Sequence, residues 1–107
     1  ERAMAKAGRA PELLAELGES LYASGEDERA FPVYRELSNA TRPDDARTRS
    51  LYWLAWGRML GILAQNNADG SRNATIRAQA ERLRLIDPEL GGSPHRERIE
   101  NALTRAR

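Results

Sequence analysis

Apolar residues recur at helical spacing along most of the chain, and clusters of turn-forming residues interrupt them. The first complete pattern begins at Pro11, which suits a first helical turn, and extends to about Ser24. Gly25 ends this helix, and Asp27 is placed to cap a second one that continues to about Asn39. The predicted inward residues of the two helices are Leu13, Leu14, Leu17, Leu21, Ala30, Phe31, Tyr34 and Leu37. Pro32 predicts a local irregularity near Phe31, because proline lacks a backbone donor.

Three further helices follow. The third is expected to begin near Asp45 and is apolar almost all round, which is typical of a helix buried on most sides or facing a partner. Ser71 or Asn73 is placed to cap a fourth helix, which extends to Ile86 with Ile76, Ala80, Leu83 and Ile86 facing inward. Ser93-Pro94 opens a polar last helix, whose narrow apolar stripe is formed by Ile99, Ala102 and Leu103.

The spacing of small and large residues in the first two helices resembles a tetratricopeptide repeat. Gly18 and Ala30 are small residues where a second helix would have to approach closely. The resemblance covers residues 11–44 through Leu14, Leu17, Gly18, Leu21, Gly25, Ala30, Tyr34 and Leu37, with Pro43 one position late. A second, atypical repeat reaches about residue 90 through Trp53, Trp56, Gly57, Leu60, Leu83 and Pro88, with about seven extra residues between its helices.

The resemblance implies an all-α fold of antiparallel helical hairpins, stacked as a short right-handed superhelix. In this interpretation residues 1–10 end a preceding helix, residues 11–90 form the repeats, and residues 91–107 form a C-terminal capping helix. An unrelated helical bundle is the alternative architecture. Trp53 and Trp56 occupy positions that the family fills with core residues, so both are expected in the core.

The resemblance also implies a groove lined by the first helix of each pair, which would bind a peptide or helix of another protein. The matching positions are Glu12, Ala15, Glu19, Tyr22, Ala23, Leu51, Leu54, Arg58 and Ile62. Acidic residues beside an apolar patch suit a ligand with apolar anchors and a basic flank. Alternatively, Leu51, Leu54 and Ile62 are buried beneath the C-terminal helix. The alternative function is homo-oligomerisation, as a homodimer, through an exposed apolar helical face.

Composition excludes several kinds of chemistry. The 107 residues contain no cysteine and one histidine, His95, which is expected on the surface of the last helix without a neighbouring nucleophile. No motif indicates a metal, a cofactor or an enzyme. The arginines between 72 and 98 alternate with acids and lack aromatic neighbours, so nucleic acid is not an expected partner. No apolar run is long enough to span a membrane and no targeting signal is visible, which leaves the cytoplasm as the default compartment.

Charge is distributed unevenly, although the formal net charge is only +1. Residues 11–44 carry eight acids and three arginines, whereas residues 45–107 carry seven acids and eleven arginines. Such asymmetry either steers a charged partner or lets successive repeats attract each other. The preference for arginine over lysine is typical of a GC-rich genome and indicates no function.

Overall fold

The computed structural model describes residues 10–106, and every regular element in that part of the chain is a helix. The helices are α1 (Pro11–Ala23), α2 (Asp27–Asn39), α3 (Arg49–Gln65), α4 (Asn73–Ile86) and α5 (His95–Arg105). The predicted all-α class is therefore confirmed. The predicted end of a preceding helix falls on residues 1–9, which lie outside the described residues, as does Arg107.

The chain divides into two compact units at Ala55, within α3. The first unit contains α1, α2 and the beginning of α3. The second contains the remainder of α3 together with α4 and α5. Each unit is described by itself below.

In the first unit, α1 and α2 form a hairpin joined by a three-residue turn, 24–26. Gly25 adopts a positive φ of 78° in this turn, a conformation that glycine reaches without steric cost. Further along the hairpin, Gly18 faces the ring of Tyr34, as the pattern of small residues predicts. The core of the hairpin consists of Leu14, Leu21, Ala30, Val33, Tyr34 and Leu37.

Two expectations for this hairpin are wrong in detail. Leu13 and Leu17 do not join the buried stripe, because α2 covers only the side of α1 that carries Leu14 and Leu21; Leu13 is 58% exposed and Leu17 is 37% exposed. The predicted irregularity near Phe31 is not observed either, since α2 runs through Pro32 as one helix. Pro32 is exposed, so water can reach the backbone where its donor is missing.

Helix α3 begins at Arg49 rather than near Asp45, because residues 45–48 form a separate turn. The backbone N–H groups of Thr48 and Arg49 both donate to the carbonyl of Asp45, at 3.0 and 2.8 Å. The carboxylate of Asp45 accepts a bond from the N–H of Arg47. Polar groups thus close a turn where the spacing alone predicted helix.

In the second unit, a glycine and an arginine hold α5 in place. Gly57 of α3 lies so close to α5 that an added Cβ would stand 3.5 Å from Cβ of Arg98. Arg77 of α4 donates a hydrogen bond of 2.6 Å to the carbonyl of Ala106, just after the last turn of α5. The core of this unit includes Met59, Leu60, Ile76, Ala80, Leu83, Leu90, Ile99 and Ala102.

The end of α4 departs from the predicted inward pattern. Ile86 is 41% exposed, although its spacing assigned it to the core. The chain leaves the helix at Asp87, whose carboxylate accepts bonds from the N–H groups of Glu89 and Gly91. Leu90 lies fully buried in this turn, with a positive φ of 53°. This leucine anchors the turn, and Ile86 stays at its surface.

Candidate functional site

Four of the predicted groove residues lie on one face of α1, because they are spaced three or four residues apart. Glu12 is exposed, whereas Glu19 and Tyr22 are half-buried. Ala15 is only 9% exposed, so it packs within the protein and does not line an open surface. The small side chain of Ala15 leaves Glu12, Glu19 and Tyr22 as the polar groups of this set that reach solvent. The fifth predicted residue of α1, Ala23, is exposed as well.

The hairpin holds one of these groups in a defined position. The hydroxyl of Tyr34 donates a hydrogen bond to the carboxylate of Glu19. Tyr34 has no exposed surface, since its ring is enclosed in the hairpin core beside Gly18. A buried tyrosine therefore orients a half-buried carboxylate on the predicted binding face, which reduces the side-chain entropy that binding through Glu19 would cost.

The other predicted groove residues lie on α3. Leu51 and Leu54 belong to the first unit and are half-buried. Arg58 and Ile62 belong to the second; Arg58 is half-buried, but Ile62 is only 5% exposed. Ile62 is thus a core residue and is unavailable to a ligand in this state. Leu51 and Leu54 keep part of their apolar surface open to solvent.

The two tryptophans differ in their environment. Trp53 is 1% exposed, and its ring meets that of Tyr52 edge to face, with centroids 5.4 Å apart. The prediction of a core residue is confirmed for Trp53. Trp56 is only half-buried, and the guanidinium of Arg82 lies 4.8 Å from the centre of its ring. Arginine covers part of this ring, which is the arrangement of a cation–π contact rather than of a core side chain.

His95 is not the surface residue that the sequence predicts. Its side chain is half-buried, and its Nδ1 atom is buried without a hydrogen-bond partner. Burial lowers the pKa of His95 below its usual value, and the charges of Arg98 and Arg58 lower it further. The imidazole is therefore kept neutral at the start of α5. Within residues 10–106, no group of three or more His, Cys, Asp or Glu side chains is arranged to hold a metal ion.

Several arginines of the basic half are engaged in contacts within the second unit. Arg77 donates to Ala106, Arg82 covers Trp56, and Arg96 forms a 2.6 Å ion pair with Glu89. These side chains fasten helices and turns to one another. Arg72 and Arg84 are exposed, but they lie at opposite ends of α4.

Sequence reasoning missed a set of exposed apolar side chains. Among residues 10–106, the large hydrophobic side chains that face solvent are Leu13, Leu17, Leu85 and Ile86. Leu85, at 88% exposure, is surrounded along α4 by both charge signs, whereas Leu13 and Leu17 share a helix that carries three glutamates and no lysine or arginine. The sequence signal for the exposure of Leu13 and Leu17 was a separate stripe along α1 and its C-cap. This stripe consists of Leu13, Leu17, Ser20 and Ser24, at intervals of four, three and four residues.

No helix formed by residues 10–106 combines the length and the apolar character that crossing a bilayer requires. The chain matches no known family model, no curated protein and no solved structure. Any function must therefore be inferred from the residues and their geometry.

Proposed function

We propose that this chain is a tetratricopeptide-like scaffold that binds a peptide or a helix of a partner protein. The observation that carries the proposal is the interlock of the first hairpin, in which the ring of Tyr34 covers Gly18 and its hydroxyl holds Glu19. Such a hairpin presents the solvent-accessible face of its first helix as a rigid surface. A rigid surface with an oriented carboxylate favours recognition over catalysis.

The ligand is expected to combine apolar anchors with basic residues. Within the first unit, Leu51 and Leu54 offer half-buried apolar surface, and Glu12 and Glu19 offer carboxylates. An extended peptide or an amphipathic helix carrying lysine or arginine beside leucine-type side chains matches this chemistry. Tyr22, half-buried on the same face of α1, adds a ring that can pack on an apolar anchor and a hydroxyl that can hydrogen-bond.

Homo-oligomerisation is the second candidate function. The observation in its favour is that Leu63 and Trp56 of α3 and Leu103 of α5 are only half-buried in a single copy of the chain. Large apolar side chains of this kind are common where identical subunits meet. In this alternative, the surface of α1 and α3 would have only a structural role.

Light scattering over a concentration series, at low and high salt, separates the two functions first. A mass of one chain throughout supports a scaffold for another protein, and a concentration-dependent dimer supports self-association. A displayed library of basic, leucine-containing peptides then provides ligands for the scaffold. Their affinity is measured for the wild type and for Tyr22→Ala combined with Leu54→Ser.

The matched control for this experiment is Leu85→Ser, which removes a leucine with 88% exposure from α4. We expect the double variant to lose about tenfold or more in affinity, and the control to lose less than about twofold. Both variants must keep the wild-type circular dichroism. Equal binding by the wild type and a folded double variant would show that these residues do not form the binding surface.

A further inference from the structure

The outward face of α1, together with the residues that flank it at each end, carries a continuous stripe of small and apolar residues. The members of this outer stripe are Ala10, Leu13, Leu17, Ser20 and Ser24, and all five are exposed. They follow one another at intervals of three, four, three and four residues. That alternation is the spacing with which a helix packs along a second helix at a shallow angle.

The outer stripe is distinct from the proposed groove surface. At about 100° per residue, Leu13 and Tyr22 point to opposite sides of α1. Leu14 and Leu21 lie at the border of the stripe and are already buried in the hairpin. The exposed leucines and serines of the outer stripe therefore lie on a surface that neither the hairpin core nor the groove uses. Among the residues that this inference uses, Glu12 belongs to the proposed groove surface as well.

Two carboxylates along one border of the stripe have no ion-pair partner among residues 10–106. Glu12 and Glu16 are exposed there, and neither forms an ion pair with another described residue. Helix α1 carries no basic residue at all among residues 11–23. By contrast, Glu26 and Glu89 are each paired with an arginine within 2.7 Å. The outer stripe thus combines exposed leucines with negative charge on one side.

We infer that the outer stripe docks an amphipathic helix with an apolar stripe of the same spacing and with arginine or lysine in its last turns. Both glutamates lie in the first half of α1, so an antiparallel partner brings its C-terminal half beside them. Basic residues in that half also complement the negative end of the partner's own helix dipole. The two glutamates therefore attract the partner helix and also favour its antiparallel direction.

The size of the stripe residues sets a further requirement on the partner. Ser20 and Ser24 are small, which leaves room opposite them for bulky side chains of the partner's N-terminal half. Leu13 and Leu17 supply the apolar anchors at the other end. A second copy of α1 lacks this complementarity, since it brings three more glutamates, no cation and serines where bulky groups fit.

Synthetic peptides provide the probe for this site. The first is an amphipathic peptide of about 14 residues, long enough to follow α1, with leucines at alternating three- and four-residue intervals and arginines in its last two turns. The second has the same composition but carries its arginines in the first two turns, and the third has glutamate in place of arginine. Binding of each labelled peptide to the entire chain is followed by fluorescence anisotropy.

We expect the first peptide to bind about tenfold more tightly than the second, and the third to show no saturable binding. Leu13→Ser combined with Leu17→Ser should weaken the first peptide about 30-fold or more, because both anchors are lost. Glu12→Lys combined with Glu16→Lys should reverse the preference toward the glutamate peptide. All these substitutions are at exposed positions, and circular dichroism verifies that the variants remain helical.

Two control variants separate this site from the others. Leu85→Ser removes an exposed leucine outside the stripe, and Tyr22→Ala alters only the proposed groove; both should bind the first peptide within about twofold of the wild type. The inference is overturned if the Leu13/Leu17 variant binds as the wild type does, or if the Glu12/Glu16 variant keeps the original preference. It is also overturned if light scattering shows a dimer that the Leu13/Leu17 variant abolishes.

Discussion

The ring of Tyr34 lies so close to Gly18 that a methyl group on this glycine would stand 2.8 Å from Cε1. Tyr34 is fully buried, and its hydroxyl is bonded to Glu19, so the ring has no free direction in which to move. The first hairpin therefore depends on the absence of a side chain at position 18. An added side chain at position 18 requires the ring of Tyr34 to shift.

Gly18→Ala is expected to destabilise the protein by about 1–2 kcal/mol. Overpacking costs about 1–3 kcal/mol, and the better helix propensity of alanine recovers up to about 1 kcal/mol of it. The measurement is the free energy of unfolding from urea denaturation. Gly61→Ala is the matched control, since Gly61 also lies within a helix and nothing stands within 4 Å of its added Cβ. The control should be stabilised, and a stabilised Gly18→Ala would contradict the close packing.

Arg77→Gln is expected to loosen the end of α5. Its guanidinium donates to the carbonyl of Ala106 and places a positive charge at the negative end of that helix. The loss should be about 0.5–1.5 kcal/mol in the free energy of unfolding, with faster hydrogen exchange in the last turn of α5. Arg47→Gln removes an arginine whose side chain is 92% exposed and should change stability by less than about 0.5 kcal/mol. Equal effects of the two substitutions would exclude a specific role for Arg77.

Stability is expected to fall as the pH decreases through the range in which histidine titrates. Burial, and then Arg98 and Arg58, lower the pKa of His95 in the folded protein. As the pH falls, the imidazole of His95 is therefore protonated first in the unfolded chain, near the ordinary pKa of about 6.5. The free energy of unfolding decreases from that pH downward, until the lower pKa of the folded protein is passed.

The pH prediction is checked by urea denaturation between about pH 7.5 and pH 5, where ordinary carboxylates remain ionised. His95→Gln should show a flatter dependence on pH than the wild type over this range. Identical slopes for the two proteins would mean that His95 is as easily protonated in the folded state as in the unfolded one.

The two tryptophans should be distinguishable by fluorescence quenching. Trp53 is enclosed at 1% exposure, whereas Trp56 is half-buried beneath Arg82. In a Trp56→Phe variant the remaining emission should resist acrylamide, and in a Trp53→Phe variant it should be quenched more strongly. Arg82→Ala should increase quenching of Trp56 and lower stability by about 0.5–1 kcal/mol, the value of a partly exposed cation–π contact. Equal quenching constants in the two phenylalanine variants would contradict this assignment.

The helices were predictable because turn-forming residues stand where the helical spacing of apolar residues is interrupted. Helix α1 ends just before Gly25, α2 ends at Asn39 and α4 ends at Ile86, as the sequence predicts. The predicted capping residues Asp27 and Asn73 are instead the first helical residues, and Glu26 and Arg72 stand at the N-cap positions. The start of α3 was not predictable in the same way. Residues 45–48 carry no helix breaker, and their turn depends on specific hydrogen bonds to Asp45, which spacing does not reveal.

The identity of the buried residues was less predictable than the helices themselves. Leu13, Leu14, Leu17 and Leu21 satisfy one helical stripe, but a single neighbouring helix can cover only part of it, and the structure buries Leu14 and Leu21. His95 shows the opposite error, because a polar residue in a polar helix is expected at the surface. In the structure α5 packs closely beside Gly57, and Nδ1 of His95 is buried.

The predicted binding residues also divide into exposed and buried ones, because the sequence of one helix does not show which of its faces is covered. The resemblance to the repeat family implied Glu12, Glu19 and Tyr22 as groove residues, and these three do reach solvent. Ala15 is buried against that expectation, whereas burial of Ile62 was the alternative that the sequence left open. Whether the accessible residues bind a ligand stays a prediction.

Pro32 has a consequence for the motion of α2. Proline has no amide hydrogen to donate to the carbonyl of Glu28. The first turn of α2 therefore lacks one of the backbone hydrogen bonds that join it to the next turn. Before the proline, Ala30 buries only a methyl group, whereas beyond it the large side chains of Tyr34 and Leu37 are fully buried and fasten the remainder of the helix to α1. The beginning of α2 can therefore open by local unfolding while its second half stays closed, and its amides should exchange with solvent well before those of residues 33–39.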